Sequence, residues 1–274
     1  MSARTPITAG NAGKGDKMGD EALLTVTNLC KTYGPQLGCE GVGFAMHPGE
    51  VLGIVGESGS GKSTLLGCLS GQLRATSGTV VYQAACGAVD MIRSPEQLVR
   101  RVIRTEMGIV HQNPRDGLRM HVSAGGNIGE RLMANGERHY GGIRRKAMAW
   151  LERVEIGADR VDDIPAHFSG GMQQRLQIAR NLITNPRLIF MDEPTSGLDV
   201  SVQARVLDIM RHLVTQLSLS MVIVTHDLAV ARLLAHRLLV MRAGRVVEEG
   251  LTDQILDDPQ HPYTQLLVSS VLAH

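Results

Sequence analysis

Val51-Leu52-Gly53-Ile54-Val55-Gly56-Glu57-Ser58-Gly59-Ser60-Gly61-Lys62-Ser63 is the stretch on which the fold turns. Its first five residues are an unbroken apolar run, the mark of a strand buried on both faces, and a helical segment continues to Leu69. Between them, Gly56 to Ser63 matches G-x-x-x-x-G-K-[ST] in the context that gives the pattern meaning, after a buried strand and at the start of a helix. Glycines let such a loop curl so that backbone N–H groups point inward at phosphates, and the helix adds the positive end of its dipole. Lys62 then reaches the β- and γ-phosphates and the Ser63 hydroxyl ligates Mg²⁺. The candidate nucleotide-binding set is Gly56, Glu57, Ser58, Gly59, Ser60, Gly61, Lys62, Ser63 and Thr64.

A second apolar run, Leu188-Ile189-Phe190-Met191, delivers Asp192 and Glu193 at its carboxyl end, where ligands bind in an open parallel sheet. Asp192 is placed to hold Mg²⁺, and Glu193 to orient and deprotonate an attacking water. A third run, Met221 to Thr225, ends in His226 at the same expected edge. The repeated alternation of buried strand and helix predicts an α/β fold with a mainly parallel core sheet.

Composition narrows the class. With 28 Lys+Arg against 27 Asp+Glu the chain carries no global field that would draw nucleic acid, so no nucleic-acid partner is expected. Cys30, Cys39, Cys68 and Cys86 include no C-x-x-C pair, which argues against a zinc site or disulfide framework and for reduced thiols in a cytoplasmic protein. No apolar run approaches the roughly 20 residues a membrane helix needs, so no direct membrane insertion is expected. Residues 1–20 read as a flexible leader without the apolar core of a secretory signal. Short strands at Leu23 to Val26 and Val42 to Ala45 read as antiparallel, residues 95–166 as mostly helical, and Arg237 to Val247 as a hairpin turning at Ala243-Gly244. The expected organisation is a nucleotide-binding domain over 21–257, a helical sub-domain over about 95–170 inserted in it, and a tail over 258–274.

Phe168-Ser169-Gly170-Gly171-Met172-Gln173-Gln174-Arg175 resembles the signature segment of ATP-binding-cassette (ABC) ATPases, usually Leu-Ser-Gly-Gly-Gln. Other pieces follow in the family's order: Tyr33 resembles its adenine-stacking aromatic, Gln112 the glutamine joining its sub-domains, Ser196-Gly197-Leu198-Asp199 its dimer-contact loop and His226 its switch histidine. The resemblance implies a P-loop NTPase of ABC type with an antiparallel β sub-domain. It implies ATP and Mg²⁺ as cofactors, and adds Gln112 and His226 to Lys62 and Glu193 as catalytic residues. Gln112 joins Ser63 and Asp192 at the metal. It also implies that Ser169, Gly170, Gly171 and Asp199 close on the γ-phosphate held by an opposite copy, in an ATP-dependent head-to-tail homodimer. Two positions depart from the pattern: Phe168 stands for Leu and Met172 for Gln. Gln173, about 100° further round the helix, faces elsewhere.

Val110 to Arg119, Val122 to Met133, His139-Tyr140-Gly141 and Phe168 to Arg180 look like the ATP-binding subunits of bacterial carbon-phosphorus lyase systems. That likeness implies phosphonate catabolism, soluble lyase core subunits as partners, a possible exchange of one copy for a second ABC ATPase, and docking at Arg115 to Met120. His261-Pro262-Tyr263-Thr264-Gln265-Leu266-Leu267 resembles the tail of peptide and nickel importers, whose nucleotide-binding subunits are the alternative.

Overall fold

A computed structural model describes residues 21–272. The expectation for residues 1–20 lies outside the described residues. The chain opens with β1 (Leu24–Tyr33) and β2 (Gln36–Met46), then β3 (Val51–Val55) and α1 (Lys62–Leu69). There follow β4 (Ser77–Ala84), β5 (Gly87–Asp90), α2 (Glu96–Glu106), β6 (Met107–Val110) and the short α3 (Pro114–Gly117). α4 (Ala124–Ala134), α5 (Tyr140–Arg153) and α6 (Gly170–Leu182) lead to β7 (Leu188–Asp192), α7 (Val200–Leu217) and β8 (Ser220–Thr225). The last elements are α8 (Leu228–Leu234), β9 (Arg237–Arg242), β10 (Arg245–Leu251), α9 (Thr252–Asp257) and α10 (Pro262–Leu272).

Two sheets result. β2-β1-β4-β5 form an antiparallel four-stranded sheet, and β10-β9-β3-β8-β7-β6 a six-stranded one in which every pairing except β10 with β9 is parallel. The apolar runs explain the second sheet. In β7, Ile189 and Met191 pack with the helical layer while Leu188 and Phe190 pack with α1 and the antiparallel sheet. β3 and β8 alternate in the same way, so both faces of the sheet are dry and its strands read as continuous hydrophobics.

On one face, Ile128, Ile143, Trp150, Leu151 and Leu176 join α4, α5 and α6 into a single packed layer. Each of these helices starts on a side-chain cap: Ser123 Oγ accepts from Gly126 N (3.1 Å), His139 Nδ1 from Gly142 N (2.9 Å) and Ser169 Oγ from Met172 N (3.4 Å). The β9–β10 hairpin turns at Ala243 and Gly244, both at positive φ, as expected. The stretch read as mostly helical also contains β6. Its four residues, Met-Gly-Ile-Val, are too few for periodicity to separate a buried strand from a turn of helix.

Candidate active site

Parallel strands direct all their carboxyl ends to one edge, and four adjacent strands use that edge here. β3 runs into Gly56 to Lys62, β8 into His226, β7 into Asp192 and Glu193, and β6 into Gln112. The phosphate loop is shaped by glycine where nothing else fits. Gly56 and Gly61 have φ of 149° and 100°, and a Cβ on either would lie 2.2 Å from a backbone oxygen, of Met241 and Gly38 respectively. Gly61 is also the N-cap of α1 and supplies no side chain, leaving that helix's first N–H groups facing the cleft.

Lys62 is 5% exposed, and its Nζ donates to Gly56 O (2.8 Å) and Glu57 O (2.7 Å). Burial pulls its pKa below the usual lysine value, opposed by the charges of Glu193, Asp192 and Glu57. Ser63 Oγ donates to Asp192 Oδ1 (3.0 Å). Burial raises the Asp192 carboxyl above its ordinary value, the Ser63 hydrogen bond working against it and the Glu193 charge with it.

Glu193 sits at φ +42°, a left-handed conformation unusual for a residue with a side chain, held by its N–H donating to Val224 O (2.9 Å). This backbone twist aims the carboxylate between two partners. Oε1 lies 3.1 Å from His226 Nδ1, and Oε2 accepts from Gln112 Nε2 (3.3 Å), which also reaches Ser196 Oγ (3.2 Å). A cleft of about 350 Å³ joins Lys62, Ser63, Thr64, Gln112 and Glu193 to Ser58, Gly59 and Tyr33, within the size range of small-ligand sites. Tyr33, at the end of β1, is 45% exposed with the Lys31 ammonium 4.8 Å from its ring centre.

The signature residues are elsewhere. Ser169 and Gly170 stand exposed at the start of α6, and neither lines that cleft; Gly170 lines a neighbouring one of about 400 Å³ that shares Gln112 and includes Ser196, Gly197 and Leu198. Gly171 is buried, and a Cβ there would meet Val202 Cγ1 at 2.2 Å. Asp199 is exposed at the start of α7. Gln173 turns inward, donating to Pro165 O (2.9 Å) and Phe168 O (3.0 Å), while Met172 Sδ accepts from Arg160 (3.7 Å). Neither presents an amide outward.

Several contributors escaped the sequence reading. Gly38 brings its carbonyl against the phosphate loop and, with Leu37, lines the cleft from β2. Gln177 clamps the backbone of His111, accepting from its N–H (2.6 Å) and donating to its carbonyl (3.2 Å), and so ties the signature helix to the loop that carries Gln112. No motif announces either residue; both are placed by tertiary packing.

For a divalent cation, the donor set is Ser63 Oγ and an Asp192 carboxylate oxygen, already within hydrogen-bond distance of each other. Among the described residues no larger cluster of His, Cys, Asp and Glu forms a metal cage. One hydroxyl and one carboxylate, with phosphate oxygens completing the shell, fit Mg²⁺, which keeps few protein ligands.

A strand–glycine loop–helix unit, paired acids two strands along the same sheet edge and a separate signature helix define a class, and the chain belongs to the ABC family: the model described as "ABC transporter" matches residues 39–196, more than half of it. It is an ATP-binding ATPase of that fold. Within the family it is 64% identical, over 92% of its own length and 99% of the other's, to PhnK of Escherichia coli (strain K12), named as an ATP-binding protein of phosphonates utilization. The dipeptide transport ATP-binding protein DppF of the same strain is 39% identical over 84% of this chain and 68% of that one. A model described as "Oligopeptide/dipeptide transporter, C-terminal region" matches residues 247–274. Among solved structures, the dimeric post-hydrolysis state of the ATP-binding cassette MJ0796 bound to ADP and Pi superposes with a TM-score of 0.75 at 28% identity, covering 84% of this chain and 98% of that one.

Among the described residues, no helix is long and apolar enough to cross a membrane.

Proposed function

We propose that this ATPase hydrolyses Mg-ATP at a head-to-tail homodimer interface and couples it to a soluble carbon-phosphorus lyase complex in phosphonate catabolism, in the cytoplasm. The likeness to PhnK over nearly the whole of both chains carries the reading. A split site is supported by the exposed start of α6, which leaves Ser169 and Gly170 clear of this chain's own phosphate cleft, and by the dimeric form named for the MJ0796 cassette. In this reading 21–257 act as one ATPase unit carrying the helical stretch about 95–170, with 258–274 as its tail. A second ABC ATPase in place of one copy is the variant arrangement.

The chemistry is positioning and charge neutralisation. Ser63 and Asp192, joined by Gln112 from the same cleft as Ser63, would hold Mg²⁺, which would supply positive charge against the phosphates. Lys62 turns its Nζ from the loop carbonyls to the phosphates, and the N–H groups of Gly59, Gly61 and the first turn of α1, with Thr64, cradle them. Glu193 takes a proton from the attacking water at its carboxylate, oriented by Gln112 and His226 on its two oxygens. Tyr33 offers its exposed ring to adenine. Ser169, Gly170, Gly171 and Asp199 of the opposite copy complete the γ-phosphate site.

Docking falls to the exposed side chains of the 115–120 stretch, Arg115, Asp116 and Arg119; Leu118 is buried and serves packing. The importer-subunit reading is favoured by the match of 247–274 to a peptide-transporter region and by the likeness to DppF. The two separate when the tagged protein is purified in mild detergent from cells using a phosphonate as phosphorus source. Co-purifying soluble lyase subunits support the proposal, and a co-purifying integral permease replaces it with the importer.

A further inference from the structure

The Gly56–Glu57 peptide unit is held at both ends. Its carbonyl oxygen accepts from Lys62 Nζ (2.8 Å), and its N–H donates to the hydroxyl of Tyr263 (3.0 Å), a residue of α10 far outside the phosphate motif. Gly56, at φ 149°, has no side chain to restrict rotation of that peptide, so its orientation must be imposed from outside. Lys62 supplies one constraint and Tyr263 the other. A hydrogen bond at the N–H also polarises the peptide and strengthens its carbonyl as an acceptor.

Tyr263 is itself built in. It is 4% exposed, with the Arg242 guanidinium 4.9 Å from its ring centre. The turn before it is locked by Glu248, whose carboxylate accepts from Gln260 N (2.8 Å) and His261 N (3.1 Å), and His261 Nδ1 accepts from Tyr263 N (3.1 Å). Pro262 stands at the start of α10, where its missing N–H costs nothing. The His261-Pro262-Tyr263 turn therefore aims one hydroxyl at one amide of the loop.

We propose that Tyr263 is a positioning residue for the phosphate loop: its hydroxyl fixes the Gly56–Glu57 peptide in the nucleotide-competent orientation, so the C-terminal segment sets ATP affinity. The proposal rests on Gly56 to Ser63 being the phosphate site. Without the hydroxyl, the N–H loses its partner and the loop spends part of its time in orientations that ATP must reverse, which weakens apparent affinity by the fraction lost. Saturating ATP restores the loop, so the maximal rate is spared.

The test compares the full-length wild type with Tyr263→Phe, Gln265→Ala and Lys62→Ala in ATP titration, steady-state hydrolysis and thermal melting. Tyr263→Phe keeps the ring and its contact with Arg242 and deletes only the hydroxyl. The expected result is a rise in Kd and KM for ATP of about two- to tenfold, the range a single hydrogen bond covers, with kcat within about twofold. The melting temperature is expected within about 3 °C of wild type. Gln265→Ala, which removes a different hydrogen bond of the same segment, to Pro259 O, is expected to leave KM unchanged. A lowered melting temperature with unchanged KM makes Tyr263 merely structural and overturns the proposal. An unchanged or lowered KM, or an equal rise in KM for Gln265→Ala, overturns it as well. Lys62→Ala separates the two levels: full ATP binding there would refute the phosphate-loop assignment itself, whereas its loss beside an unaffected Tyr263→Phe would refute only the role of Tyr263.

Discussion

Replacing Glu193 by Gln removes a proton acceptor while leaving its surroundings almost intact. The side chain keeps its length and the backbone keeps its φ of +42°, since Gln and Glu have the same conformational preferences. The substituted amide, turned with its oxygen toward Gln112 Nε2 and its NH₂ toward His226 Nδ1, satisfies Gln112 as the carboxylate did at 3.3 Å, and satisfies His226, 3.1 Å away, once the imidazole carries its proton on Nε2. The net change in ground-state hydrogen bonding is about 1 kcal/mol at most, so ATP affinity is expected within about fivefold of wild type. Chemistry is not spared. An amide cannot accept the water's proton, and loss of a general base costs about 10²–10⁴-fold in kcat. Phosphate release under saturating Mg-ATP measures the rate, and titration with a fluorescent ATP analogue measures binding. The same protein, arrested before hydrolysis, is expected to double in mass in Mg-ATP if two copies enclose the nucleotide. A rate within about tenfold of wild type would refute the role given to Glu193. A loss of binding parallel to the loss of rate would show instead that the carboxylate serves the ground state. Bound but monomeric protein would count against the shared site.

Two further outcomes rest on the geometry. Gly61→Ala forces φ +100° on a side chain whose Cβ would lie 2.2 Å from Gly38 O, whereas Gly59→Ala, at φ +79°, meets nothing within 4 Å; calorimetry and ATP titration are expected to show Gly59→Ala losing about 1–2 kcal/mol of stability and Gly61→Ala losing more, with at least roughly tenfold weaker ATP binding. Tyr82 is fully buried, its hydroxyl donates to Glu106 Oε2, and burial followed by the Glu106 charge raises its pKa well above the ordinary tyrosine value of 10. Above about pH 10 the folded state keeps a proton that the unfolded chain has released, so stability falls as pH rises, by up to about 1.4 kcal/mol per pH unit from this group. Urea unfolding at about pH 8 and about pH 10.5 is expected to show a shallower alkaline loss for Tyr82→Phe than for wild type, and equal slopes would refute the assignment.

The strands that carry the proposed site were legible because their information is local. A five-residue apolar run followed by a glycine-rich loop states both a buried strand and the use of its carboxyl end, and Asp192 and Glu193 inherit their meaning from the run before them. Tyr82 and its strand β4 were not legible, because Ser77–Ala84 mixes polar and apolar residues on an antiparallel sheet with only one face against the core. Gln177 illustrates a second limit. Its neighbours in the signature helix invite a functional reading, yet its two hydrogen bonds go to a backbone 66 residues away, a pairing that only the folded sheet creates.

Those two hydrogen bonds bear on how the site's separated parts stay in step. α6 carries Ser169 at its exposed start and, about two turns on, Gln177 gripping both polar groups of His111, immediately before Gln112. Gln174 adds a third bond to the same carbonyl (3.4 Å), and Gly117 leaves no room beside Gln177 for a Cβ, which would lie 2.4 Å from Oε1. The loop from His111 to Gly117 is therefore fastened to the signature helix more tightly than to the strands whose acids it faces. Gln112 reaches the β7 side through two exposed hydrogen bonds, 3.3 Å to the Glu193 carboxylate and 3.2 Å to the Ser196 hydroxyl. Two exposed side-chain bonds break more readily than three half-buried bonds to one backbone, the shortest of them 2.6 Å. A force on α6, or on the exposed Arg115 and Asp116 of the loop it grips, thus separates Gln112 from Glu193 before it separates α6 from the loop. The point of least resistance lies between the proposed base and the residue proposed to orient it, which is where the proposed coupling of hydrolysis to a docked partner would act with the least strain elsewhere.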